Sequence, residues 1–158
     1  MPSENYASLE TLKAMGTPLS NKYSEGYPDA RYYPGNTYID KIEKLAVNRA
    51  KKIFKADHAN VQPHSGSQAN AAVYLALLEP GDSVLGFDLQ SGGHLTHGSG
   101  VNFSGKIYNF YHYGVSRQNQ RIDFKEVEQK ALEVEPKLII VSTTSYPREL
   151  NFKKFKKI

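Results

Sequence analysis

Apolar positions along the chain change period several times, and each change predicts an element. From Thr37 to Lys55, Ile39, Ile42, Leu45, Ala46 and Ile53 recur mostly at three- and four-residue steps, with lysines, Glu43 and Arg49 between them. That spacing predicts an amphipathic helix. Ala59 to Gln62 follows as a short strand candidate. Ser65 reads as a helix N-cap, and Gln68, three residues later, completes a Ser-x-x-Gln capping box. Ala69 to Leu78 is then almost wholly apolar, and a helix without a polar face is predicted to be buried. Glu79-Pro80-Gly81-Asp82 forms a turn into the apolar run Val84 to Phe87. Lys106 to Tyr111 reads as a strand, Asp123 to Glu133 as an amphipathic helix with Phe124, Val127, Ala131 and Leu132 inward, and Leu138 to Val141 as a buried strand. Alternation of this kind argues for an α/β fold with a mostly parallel sheet and flanking helices.

Two stretches fall outside the alternation. Ser20 to Asn36, with three tyrosines after Tyr23 plus Glu25, Arg31 and two prolines, is a long loop by composition, as is Gln90 to Gly105 with five glycines. Long loops that stay ordered usually carry function, and tyrosines with fixed charges speak against disorder. At the tail, Phe152, Phe155 and Ile158 fall at i, i+3 and i+6 with no stop signal. A helix is therefore predicted to be under way at the last residue, and the polypeptide is expected to be truncated relative to its fold.

Charge changes little in this picture. The net +4 of the 158 residues is supplied by Lys153, Lys154, Lys156 and Lys157, one terminal run rather than a distributed basic stripe, so nucleic acid is not an expected partner. Cysteine is absent, which excludes disulfides, thiolate chemistry and zinc-thiolate sites within this chain. No basic segment leading into an apolar run and no bilayer-length apolar stretch is present, so no membrane role and a cytoplasmic location are expected.

Candidate chemistry sits in two clusters. At the helix start Val61 to Asn70, unpaired amides and the positive end of the macrodipole meet Ser65, Gly66 and Ser67, residues small enough to let an anion touch backbone. An ordinary capped core helix is the bland alternative. The second cluster, Ser91 to Gly98, places His94 on a chain loosened by Gly92 and Gly93, where an imidazole can stack or donate. A metal site would pair His94 with His97, but two histidines without a nearby carboxylate or thiolate make a poor one. A structural, hydrogen-bonded histidine is the remaining alternative.

Four motifs in register, NKYSEGYPDARYYPGN, VQPHSGSQAN, LLEPGDSVLGFDLQSGGHLTHGSGVNFSGK and SYPRELNF, closely resemble the N-terminal part of the large domain of serine hydroxymethyltransferases. The resemblance begins at Ser3-Glu4-Asn5-Tyr6 and covers nearly the whole chain. It implies the fold of the aspartate aminotransferases (fold type I), pyridoxal phosphate as cofactor, and interconversion of serine and glycine with tetrahydrofolate as one-carbon acceptor. By the same resemblance Ser65, Gly66 and Ser67 would hold the cofactor phosphate, His94 would stack on its ring, and Thr144 stands where the family has a serine that bonds the phenolic oxygen. Glu25 would handle protons at the serine hydroxymethyl group and folate. Tyr23 would reach the phosphate, while Tyr32 and Tyr33 would meet folate and the reacting amino acid. Ser3 would bind the substrate carboxylate, and Leu89, Gly93 and Leu95 would line the folate. Residues matching Tyr23, Glu25 and Tyr33 serve the neighbouring subunit's site in the family, which implies a homodimer.

Departures from the family pattern bear on activity. The Schiff-base lysine, the acidic partner of the pyridine nitrogen, the carboxylate-gripping arginine and the small C-terminal domain that the resemblance implies are not found in these residues, so the chain alone is expected not to turn over. A non-catalytic remnant that binds pyridoxal phosphate or phosphate, or that dimerises, is the alternative. Ser91 stands where histidine is usual, Gly100 where proline is common, and Asp29 and Pro34 where glycines are common.

Overall fold

A computed structural model describes residues 4–158 and divides them into two compact units, residues 5–64, and residues 65–158 with residue 4. In the first, Ser8 caps α1 (Leu9–Met15) by accepting from Thr11 N at 3.2 Å. The expected loop from Ser20 instead contains a short antiparallel hairpin of β1 (Gly26–Tyr27) and β2 (Ala30–Arg31). Gly26 allows it: φ is +97°, and a Cβ there would stand 2.4 Å from Ala30 O. Asp29 also takes a left-handed φ of 65°, a conformation that Asp tolerates better than most residues.

α2 (Thr37–Phe54) forms as its periodicity predicts but buries none of its residues. Its apolar stripe stays open, with Ile42 and Leu45 each 49% exposed; no second layer within this unit covers it. Of the described residues in this unit only Asn36 is buried. The strand expected over Ala59 to Gln62 does not form: these residues are irregular, and Gln62 spends its side-chain amide on Gly26 O (2.9 Å) and Glu43 Oε1 (2.8 Å).

The second unit is the α/β body. α3 (Gly66–Leu77) leads through the Glu79–Asp82 turn, closed by Asp82 N→Glu79 O at 3.0 Å, into the central strand β3 (Ser83–Phe87). α4 (Phe103–Ile107), β4 (Asn109–Tyr113), α5 (Phe124–Val134), β5 (Leu138–Ile139) and α6 (Phe152–Phe155) follow. The strands lie in the order β4-β3-β5, all parallel. β3 is buried on both faces, as a central parallel strand should be: Leu85 and Phe87 pack with Tyr113, Val127 and Phe155, while Val84 packs with Tyr74, Leu78 and Tyr108.

Several boundaries differ from expectation. The strand placed at Lys106 to Tyr111 begins three residues later, because Asn102 Oδ1 accepts from Ser104 N (3.0 Å) and Oγ (2.8 Å) and starts α4 there. β5 is an edge strand and only half-buried, although Ile140 N still donates to Leu85 O at 2.8 Å. In α5, Val127 is buried, and Phe124 and Ala131 pack beside it. Leu132 is 75% exposed, being 100° further round the helix than Ala131. α3 was expected to be buried all round, yet only Tyr74 is; Leu75 is 76% exposed, since the sheet covers one face and nothing else among the described residues of the unit covers the other. The tail helix, predicted to continue, ends at Phe155, which plugs the α5 side of the core.

Candidate functional site

The chemistry of the second unit gathers where the parallel strands end. The chain leaving β3 at Asp88 carries Gly92, Gly93 and His94, and the chain leaving β5 carries Ser142 and Thr144. Crevices at the carboxyl ends of such strands are where open α/β sheets place ligands.

The mouth of α3 forms as its sequence predicts. Ser65, extended at φ −154° and ψ 159°, accepts from Gln68 N at 3.1 Å, and Ala69 N donates to Ser65 O at 3.0 Å. Ser65, Gly66 and Ser67 are all exposed, and a Cβ built on Gly66 meets nothing within 4 Å. The open mouth thus has room for an anion at the positive end of a twelve-residue helix.

His94 is half-buried and held at Nδ1, which lies 2.7 Å from Thr96 Oγ1 and accepts from Thr96 N at 3.2 Å. Asn70 Nδ2, on α3, donates to Thr96 Oγ1 at 2.8 Å, and Tyr74 OH donates to Thr96 O at 2.8 Å. Helix α3 and the imidazole are therefore joined through one buried threonine. Burial pushes the Tyr74 phenol up to about 12, so it remains a donor.

His97 is a different kind of residue. It is buried, its Nδ1 accepts from His94 N at 3.2 Å, and its Nε2 lies 2.9 Å from Ser142 Oγ. Burial, then the neighbouring His94, pushes its pKa down to about 4. The folded state thus keeps His97 neutral where the unfolded chain, near 6.5, takes up a proton. Its stabilising contribution is complete above pH 6.5 and disappears as pH falls toward 4, amounting to at most about 3 kcal/mol. Urea midpoints measured across that window are expected to fall in the parent chain and to slope less in His97→Gln; equal slopes would remove His97 as the cause.

Thr144 directs its hydroxyl to Gly93 O (2.8 Å) and Gly92 O (3.2 Å), and its N–H to Gly92 O (2.8 Å). It holds the glycine turn that presents His94, and only its oxygen lone pairs stay available to a ligand. Gly93 is buried against Phe87 O, where a Cβ would come to 2.1 Å. Leu89 and Leu95, 48% and 45% exposed, flank the turn as open apolar surface.

In the first unit Glu25, Tyr23 and Tyr32 are exposed. Tyr33 meets Tyr23 edge to face with ring centres 6.3 Å apart, beside an open recess of about 450 Å³ lined by Lys22, Tyr23, Tyr33 and Pro34. Glu25 O accepts from Tyr32 N at 3.1 Å across the hairpin. Arg31 fixes this presentation: Nε donates to Asp40 Oδ1 (2.8 Å), Nη2 to Glu43 Oε2 (2.6 Å), and Nη1 to Ser24 O (2.7 Å) and Gly26 O (2.9 Å). Hydrogen bonding to Arg31 holds the Asp40 carboxyl below its usual range. Ser3 lies outside the described residues.

Asn70, Thr96, His97 and Arg31 were not marked as site residues by sequence. Thr96 and His97 sat inside the glycine-histidine motif, but the partners that give them roles lie 22 to 45 residues away along the chain. Among the described residues no helix is long and apolar enough to cross a membrane. The family model of serine hydroxymethyltransferase matches residues 1–158, the whole chain. The chain belongs to that family and so has the fold type I architecture of pyridoxal-phosphate-dependent transferases, to which the parallel sheet with flanking helices conforms.

Proposed function

We propose that this member of the serine hydroxymethyltransferase family supplies the phosphate mouth and ring platform for pyridoxal phosphate in serine–glycine interconversion with tetrahydrofolate. The observation that carries this reading is the open start of α3 tied through Asn70 and Thr96 to His94. When bound, pyridoxal phosphate supplies an electron sink for bond cleavage at the amino acid α-carbon. Ser65, Gly66 and Ser67 bind the phosphate through backbone and hydroxyl donors. His94 would stack on the ring, and Thr144 would meet the phenolic oxygen. Leu89, Gly93, His94 and Leu95 line the folate, Tyr32 is assigned to folate as well, and Tyr23 adds a phosphate contact at the neighbouring subunit's site. Ser3 binds the substrate carboxylate, while Tyr33 and Glu25 serve the neighbouring subunit's site, Tyr33 orienting the amino acid and Glu25 holding or releasing a proton at the substrate hydroxyl oxygen.

No Thr-His-Lys sequence occurs in the 158 residues, so we assign cofactor capture rather than turnover to this chain alone. Pairing into a homodimer belongs to the same reading: the open apolar stripe of α2 and the exposed tyrosines around Glu25 suit an interface. A cytoplasmic location is part of it as well. Ser67→Asp sets a like charge at the mouth and is expected to weaken pyridoxal phosphate binding at least about tenfold by equilibrium dialysis, with inorganic phosphate competing in the parent. Unchanged binding in Ser67→Asp, or no competition by phosphate, would overturn the reading.

A further inference from the structure

We propose that Asn70 and Thr96 are positioning residues for His94, fixing its tautomer and setting the phosphate-binding end of α3 and the imidazole as one piece. The proposal rests on His94 being the ring that meets the cofactor. Thr96 is fully buried, and its Oγ1 stands between Asn70 Nδ2 at 2.8 Å and His94 Nδ1 at 2.7 Å. An amide nitrogen only donates, so Thr96 Oγ1 accepts from Asn70 and its single hydrogen is left for His94 Nδ1. Thr96 N–H points at the same Nδ1 from 3.2 Å. A ring nitrogen that accepts from two donors carries no proton, so neutral His94 has its hydrogen on Nε2, away from Thr96. With the Asn70 amide turned the other way round, its NH₂ would lose Thr96 as an acceptor, and Asn70 Oδ1 and His94 Nδ1 would compete for the one Thr96 hydroxyl hydrogen. The donating orientation satisfies all three groups at once.

The grip has a second point. Tyr74 lies four residues after Asn70 on the same face of α3 and donates to Thr96 O at 2.8 Å. One helix face thus holds both the side chain and the backbone of Thr96, and the first turn of that helix is the phosphate mouth. Rotation of His94 requires breaking the Thr96 contacts. A shift of α3 when an anion docks is passed directly to the ring.

The test uses the 158-residue chain with ¹⁵N-labelled histidine at mildly alkaline pH and reads the two ring nitrogens of His94 by long-range proton–nitrogen correlation. Expected in the parent and in Thr96→Ser is a single tautomer, Nδ1 bare and Nε2 protonated. Thr96→Val and Asn70→Ala are expected to move both nitrogens toward the mixed-tautomer positions of free imidazole. The same two variants should weaken pyridoxal phosphate binding about fivefold, with Thr96→Ser restoring it. A proton on Nδ1 in the parent, or His94 nitrogens that do not respond to Thr96→Val, would overturn the proposal. If Thr96→Val does not fold, the parent and Asn70→Ala spectra decide. Because the tautomer is read without cofactor, a chain that fails to bind pyridoxal phosphate defeats the functional reading and leaves this result standing.

Discussion

Replacing Gly93 by alanine is expected to destabilise the chain by about 3 kcal/mol, at or beyond the usual upper range for overpacking, and to lower its melting temperature by roughly 10 °C. The added Cβ would stand 2.1 Å from Phe87 O and 2.9 Å from Asp88 O. Neither oxygen can step aside. Phe87 closes the central strand and is fully buried, while Asp88 O already accepts from Gly93 N at 2.9 Å. From the other side Thr144 is bonded to the Gly92 and Gly93 carbonyls, so the glycine turn is held between two strand ends. Relief would have to come from moving the turn, and His94 with it; binding of pyridoxal phosphate should be lost along with stability. Gly100→Ala is the matched control, since a Cβ there meets nothing within 4 Å; its cost should stay within about 0.5 kcal/mol. Thermal melts of the two variants side by side make the check, and equal melting would remove close packing as the reason for glycine at position 93.

What could be read from sequence follows the range of the forces involved. The Ser65 cap, the Glu79–Asp82 turn and the Phe124, Val127 and Ala131 stripe each depend on neighbours within a turn or two of chain, and all three formed as read. The β4 boundary was missed because Ile107, Tyr108 and Phe110 are good strand formers, yet Asn102 commits the chain to a helical turn first. Burial of α3 was overestimated for another reason: an all-apolar helix says that every face wants covering, but it does not supply the layer. The site shows the same division. Its small residues, its glycines and His94 were visible as a motif. Thr96, which holds His94, is itself held by Asn70 of α3, and Ser142 reaches His97 from the end of β5, connections that only the folded sheet brings within 3 Å.

Arg31→Ala is expected to loosen the entire presentation of Tyr23, Glu25, Tyr32 and Tyr33, through the loss of four local hydrogen bonds. Residues 5–64 have no buried apolar side chain among those described, so no hydrophobic core stands in reserve. Order there comes from polar contacts, Gln62 on Gly26 O and Glu43 among them, and at their centre one guanidinium closes the hairpin through Ser24 O and Gly26 O and ties it to α2 through Asp40 and Glu43. Removing the guanidinium leaves two carboxylates side by side without their cation, and their repulsion adds to the lost bonds. Amide exchange at residues 24–31 should accelerate roughly tenfold or more, while exchange in β3 stays as it was. Arg31→Lys should recover little, because one ammonium cannot span both carboxylates and both carbonyls in a plane. Acid should imitate the substitution: the folded-state Asp40 value lies below the unfolded 3.8, so its contribution persists above that pH and is lost as pH falls through the lower folded value. Hairpin exchange that ignores Arg31→Ala would mean that contacts other than this cluster hold Glu25 in place.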